Sequence, residues 1–148
     1  MTDTDFAPLA AAIRKALDAQ GFHKLVGAEV VDVAPGEATL ALDRRPEVLQ
    51  QAGLFHGGVI AYLVDNATTV AAATVVDRAR QSVLTAEYKL NIVAPARGDR
   101  LVCRATVLKR GRMLTVVEAK VHCRSGAEEK LTAVALASIA NIDLPSAA

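Results

Sequence analysis

From Phe55 to Val76 the chain reads F-H-G-G-V-I-A-Y-L-V-D-N-A-T-T-V-A-A-A-T-V-V, a His-Gly-Gly turn running into an apolar stretch with a single carboxylate, Asp65. Two glycines let a turn come close to a ligand, and the free N–H groups at a helix start form a positive pocket suited to a developing oxyanion. A Gly-Gly before an apolar run is also an ordinary loop-to-helix junction, so the turn alone does not mark a site. Asp65 adds the second half. It stands alone in a run of about twenty otherwise uncharged residues, which implies a helix buried nearly all round, and a buried carboxylate is costly unless it is paired or used.

The same run approaches the roughly 20 apolar residues that span a bilayer. Asp65, Asn66, Thr68, Thr69 and Thr74 interrupt it and no basic residues flank its start, so it reads as a core helix rather than a membrane span. The opening M-T-D-T-D-F is acidic where a secretory signal is basic, and a cytoplasmic location is expected. The chain has 148 residues, 52% hydrophobic and 22% charged, enough for the core of one domain and too apolar for disorder. A net charge of +1 and 3% aromatic content without Trp argue against nucleic acid as a partner. Cys103 and Cys123 fall on alternating strand patterns, as reduced core thiols do. His23, His56 and His122 lack ligand spacing, so no metal is expected.

The elements that must hold the turn and the carboxylate show as changes of hydrophobic period. Phe6, Leu9, Ile13, Ala16 and Leu17 predict an amphipathic helix over residues 5–20, with Gly21 as its stop. Residues 26–33 and 37–42 read as strands about Pro35-Gly36, residues 44–55 as loop and residues 57–77 as the long helix. Four strands follow at 82–92, 101–110, 113–124 and 130–141, and the last three, joined by hairpin-length connections, are expected to run antiparallel. In them Leu101, Cys103, Ala105 and Val107 form one apolar face, and Val117, Ala119 and Val121 another. An apolar helix with only antiparallel strands to cover it fits the concave face of one curved sheet, an α+β hotdog fold. On this reading residues 1–22 form a short N-terminal helix of the same domain, 23–142 the body and 143–148 a tail. The exposed edges of such a sheet favour pairing with a second copy.

Gly53-Leu54-Phe55-His56-Gly57-Gly58, then Asp65-Asn66 seven residues after the second glycine, then Thr85 ten residues before Pro95, together resemble the phenylacetate-degradation (PaaI-like) family of hotdog acyl-CoA thioesterases. The resemblance spans about residues 24–141. It implies hydrolysis of a fatty or aromatic acyl-CoA at a site shared by two subunits, with coenzyme A belonging to the substrate and no separate cofactor. It also implies that Gly57 offers its backbone N–H to the thioester carbonyl, that His56 shapes the turn and helps polarise that carbonyl, and that Asp65 acts as general base or as nucleophile. Thr85 falls where relatives hold the water, and Gln50 where relatives often carry Asn. Gly58, Tyr62 and Asn66 are expected beside the substrate.

Geometry points the same way without the family. Asp65 lies about 10 Å along the helix from Gly58, whereas a reacting carbonyl must sit about 3 Å from both its donor and the attacking oxygen. One helix cannot supply both, but two antiparallel helices across a dimer axis can. A homodimer with composite sites is therefore expected, and the resemblance extends this to a homotetramer. Gly58, Ala61, Tyr62, Asp65, Thr69 and Ala72 form the stripe for that contact, while Ile60, Leu63, Val64, Ala67, Val70 and Ala71 form the wider face for the sheet. Lys109, Arg110 and Arg112, around Gly111, are candidates for the coenzyme A phosphates, as are Arg97 and Arg100, although exposed hairpin tips are commonly charged for solubility alone. Two other functions stay open. A hotdog dehydratase of 3-hydroxyacyl thioesters would use His56 and Asp65 as base and helix carboxylate, and a non-catalytic acyl-CoA-binding domain would need neither.

Overall fold

The computed structural model describes residues 3–145, with helices α1 (Asp3–Asp18), α2 (Gly21–Val26) and α3 (Gly57–Ala73) and strands β1 (Ala28–Ala34), β2 (Glu37–Asp43), β3 (Gln81–Ile92), β4 (Arg100–Arg110), β5 (Leu114–Ser125) and β6 (Glu128–Asp143). The strands form one sheet in the order β1-β2-β4-β5-β6-β3, antiparallel throughout. Strand alternation decides which face is wet. Leu101, Cys103 and Ala105 of β4, Val117, Ala119 and Val121 of β5, and Ala133, Ala137 and Ile139 of β6 are buried, whereas Arg104, Lys120 and Leu136 are exposed on the opposite face. The small alanines of the inner face leave room for α3, whose Ile60, Leu63, Val64, Ala67 and Ala71 pack against it with essentially no exposure. This is the expected hotdog arrangement. Burying a side chain such as Leu63 is worth about 1.5–3 kcal/mol, and it is such contacts, not helix propensity, that hold a Thr- and Val-rich helix.

The amino-terminal region departs from the expected pattern. The first helix ends at Asp18, close to the expected stop, but Gly21 also opens a second, unexpected helix, whose own stop is Gly27, which takes the left-handed conformation at φ 73° and returns its N–H to the His23 carbonyl. The guanidinium of Arg45 then caps the freed Leu25 and Val26 carbonyls, each at 2.5 Å. Phe6, Ile13, Leu17 and Val26 join the same core as α3 and the sheet. At the far end of α3 the helix stops at Ala73, short of the expected Asp77, because the Thr74 hydroxyl donates to the Ala71 carbonyl at 2.6 Å and accepts the Gly36 N–H at 2.7 Å. The tail expected at 143–148 begins within the last residue of β6, and residues 146–148 lie outside the described residues. No helix among the described residues is long and apolar enough to cross a membrane.

Both cysteines are buried free thiols on the inner face, as expected, and burial pushes the Cys103 thiol up to about 12. On the outer face Glu129 sits among Arg104, Arg124 and His122. The Arg104 hydrogen bond holds its carboxyl below the ordinary value of 4.5. A carboxyl depressed on folding contributes stability that is complete above its unfolded pKa and lost as the pH falls through the folded one. Glu129→Gln is therefore expected to flatten the loss of stability below about pH 4.5, as read by urea midpoints at stepped pH, with little change in that slope above pH 6.

Candidate functional site

The start of α3 is held by backbone hydrogen bonds on every side but one. His56 N–H reaches the Val48 carbonyl at 2.9 Å and Phe55 N–H the Ala96 carbonyl at 3.1 Å, so the entering loop is tied to two other segments. His56 is the N-cap, and its Nδ1 accepts the Gly58 N–H at 2.9 Å, while Val59 and Ile60 return to the His56 carbonyl. Among the described residues, the Gly57 N–H alone in this run is given no acceptor. A Cβ at Gly58 would come within 3.0 Å of His56 Nδ1 and disturb the cap, whereas one at Gly57 would meet only Ile92 at 3.5 Å, an ordinary contact. Gly57 is thus a glycine that the chain's own packing does not demand.

Along α3 an open stripe faces a cavity of about 610 Å³, whose helix wall is Gly58, Ala61, Tyr62, Asp65, Asn66, Thr69 and Val70. The opposite wall is Leu84, Thr85 and Tyr88 of β3, and one end is closed by Leu17, Gln20 and Phe22. Asp65 is therefore only partly buried, not enclosed as the all-apolar run had implied, and no ion pair involves it among the described residues. Ala72, expected on the stripe, is fully buried, since the stripe ends where the Thr69 and Thr85 hydroxyls meet at 2.9 Å and β3 crosses the helix. Asn66 turns its amide back to the Tyr62 carbonyl at 3.2 Å.

Of the expected site residues, Gly58, Tyr62, Asp65, Asn66 and Thr85 come together in this cavity, whereas Gly57 and His56, at the start of α3 beside Gly58, do not line it. Gln50 does not line it. Its side-chain oxygen accepts the Ala52 N–H, and its backbone closes the 50–54 turn, so the amide is spent on its own loop. Lys109, Arg110 and Arg112 stand at the β4–β5 hairpin and line no part of the cavity; Arg110 contacts Gln81 at 3.5 Å. No group of three or more His, Cys, Asp or Glu among the described residues is placed to hold a metal ion.

Two contacts were not foreseen in the sequence. Thr69, expected on the stripe four residues after Asp65, pairs its hydroxyl with that of Thr85, sixteen residues on, a contact that spacing along the helix does not show. His23, 3% exposed, lies 2.7 Å through Nδ1 from the Tyr62 hydroxyl, and no local spacing predicts a contact across 39 residues. Burial holds the imidazole below its ordinary value of 6.5, with the Asp18 carboxylate opposing, and it pushes the Tyr62 phenol up to about 12, with Asp65 adding to the rise. Tyr62 keeps its hydroxyl proton at neutral pH.

A helix wrapped by this sheet, with a lone carboxylate and an unpaired helix-start N–H on one open side, places the molecule in the hotdog class. Residues 52–130 match the family model of the thioesterase superfamily, and the chain belongs to that family. It is 31% identical to human acyl-coenzyme A thioesterase 13, over 69% of this chain and 73% of that one. It is similar to the crystal structure of a thioesterase family protein from Silicibacter pomeroyi, with 30% identity, a TM-score of 0.87 and coverage of 91% of this chain and 98% of that one. The E. coli PaaI protein from the phenylacetic acid degradation operon shares the fold, with a TM-score of 0.75 at 18% identity over 86% of this chain and 88% of that one. The chain is accordingly a thioester hydrolase.

Proposed function

We propose that the chain hydrolyses acyl-CoA thioesters at a site shared between two subunits, with Asp65 of one and the Gly57 N–H of the other meeting at the carbonyl. The observation that carries this reading is the single unpaired N–H at a tied-down helix start, one residue before Gly58, which lines the same cavity as Asp65, the only carboxylate of α3. β3 is an edge strand and forms the outer wall of the cavity, so a second copy laid along that edge would close the cavity and cover the strand. As base, Asp65 removes a proton from water as the water oxygen attacks the carbonyl carbon. The negative oxygen is held by the Gly57 N–H, the carbon–sulfur bond breaks, and the proton passes to the leaving thiolate. As nucleophile, the carboxylate attacks the carbonyl carbon, the carbon–sulfur bond breaks to release the thiolate of coenzyme A, and water opens the resulting anhydride to give the free acid and restore Asp65. Thr85, hydrogen-bonded to Thr69 and lining the same cavity as Asp65, orients the water in this reading, and coenzyme A enters only as part of the substrate. A cytoplasmic dimer or dimer of dimers completes the proposal. The His56 cap argues against a dehydratase, because Nδ1 accepts the Gly58 N–H and the remaining nitrogen then carries the proton, which leaves no free base.

Thiol release across a panel of acyl-CoA chain lengths tests the reaction; no release from any member would refute it. Subunit mixing tests the sharing. Gly57→Val, whose bulk obstructs the carbonyl, and Asp65→Asn should each be nearly inactive, and after exchange the mixture should recover toward about a quarter of wild-type activity, since half the dimers are mixed and each holds one intact site of two. No recovery after demonstrated exchange would return both groups to one chain.

A further inference from the structure

The cavity is not closed by the segment that matches the family model. Its end wall is Leu17, Gln20 and Phe22, from α1, α2 and the turn between them, all upstream of residue 52. This wall meets the reactive helix at Tyr62. The buried His23 on α2 meets the hydroxyl of Tyr62, which stands one turn before Asp65 on the same face of α3, and the Phe22 ring packs edge-on against the Tyr62 ring with centroids 5.2 Å apart. Asp18 lies 4.0 Å from the far nitrogen of His23, which favours the tautomer with its proton on that side and leaves Nδ1 to accept from Tyr62. The short helix is itself pinned, by the Gly27 stop and the Arg45 cap, so the imidazole has a fixed place from which to hold the phenol.

We infer that His23 is a positioning residue, which through the Tyr62 hydroxyl locks that ring against Phe22 of the end wall and so limits the size of the acyl group accepted by the cavity. The inference rests on the acyl-CoA reading of the same cavity. Without the bond, the backbone of α3 stays where its buried face holds it, but the Tyr62 ring gains rotamer freedom and the space beside Asp65 lengthens.

The readout is the ratio of kcat/KM for long to short acyl-CoA esters. Damage to folding or to the base lowers all esters alike and leaves this ratio unmoved. His23→Leu is expected to raise the ratio by about tenfold, the scale on which one pocket contact discriminates. Tyr62→Phe, which removes only the hydroxyl and is a second variant if His23→Leu fails to fold, should raise it similarly. The double variant should raise it no further than either alone, because the two side chains act as one unit. His23→Asn, whose amide oxygen can take the place of Nδ1, should restore most of the wild-type ratio. An unchanged ratio in both single variants, additive effects, or no rescue by asparagine would overturn the inference. Dissociation constants of non-hydrolysable thioether analogues, measured over the same chain lengths, separate the two readings. If the wild type hydrolyses nothing, the proposed reaction fails, while a length dependence of binding that shifts in His23→Leu upholds the wall and one that does not shift refutes it.

Discussion

Asp65→Asn is expected to leave a folded, assembled protein that has lost about 10² to 10⁴ of its turnover. The amide is nearly isosteric with the carboxylate, and the position tolerates it because Asp65 makes no ion pair among the described residues and is only partly buried. Nothing in the fold therefore depends on its charge. What asparagine cannot do is accept a proton from water or attack a carbonyl. Steady-state hydrolysis of the best acyl-CoA from the panel, together with a melting curve and a sedimentation run, separates these effects. Turnover within a few-fold of wild type in a correctly folded variant would remove Asp65 from the mechanism.

The largest loss of stability is expected at a residue with no part in the chemistry. Gly98, in the loop that leads into β4, lies so close to the end of β5 that an added Cβ would stand 2.2 Å from the Arg124 carbonyl oxygen and 2.8 Å from the Cys123 sulfur. The obstacle is backbone, which cannot swing aside as a side chain does. Relief requires moving the loop, and the loop is tied by Asp99 N–H to the Arg124 carbonyl at 2.7 Å, by Arg44 N–H to the Asp99 carbonyl at 2.8 Å and by the Arg44 guanidinium to the Gly98 carbonyl at 3.2 Å. Gly98→Ala is expected to cost about 3 kcal/mol or more, the upper part of the range for overpacking. In a domain of this size that lowers the melting temperature by roughly 6–12 °C. A melting temperature within 2 °C of wild type would show that the loop yields more easily than its hydrogen bonds suggest.

The parts of the fold that could be read from the sequence are those written as a repeating period. Leu101, Cys103 and Ala105, then Val117, Ala119 and Val121, fall at every second position, so the β4–β5–β6 meander and its buried face followed directly. The apolar run around Asp65 likewise marked α3. At the amino-terminal end the periodic helix α1 was legible and stops at Asp18, before Gly21, whereas α2 was not, because six residues are too short for a helical period to show and only the left-handed backbone at Gly27 marks its end. Asp65 stands out as a candidate by its lone charge in an apolar run, and Gly57 and Thr85 as candidates by the family resemblance. The spending of Gln50 on its own turn could not, since it depends on where the Ala52 N–H points. Nor could the His23–Tyr62 bond, which exists only once α2 has folded and turned one face inward.

The cavity takes its side chains from the amino-terminal helices, α3 and β3, and none from β1, β2, β4, β5 or β6. Within one chain most of the sheet therefore serves the core rather than the cavity, whose shape is written in a separable set of positions. Substitutions that reshape the cavity at Leu17, Gln20, Phe22, Leu84 or Tyr88 leave the meander's inner rows intact, and those rows can drift in sequence without touching its lining. Such a partition lets a lineage change what it hydrolyses without first rebuilding the scaffold that holds the hydrolytic groups, and it marks the positions that a library aimed at new substrates should vary.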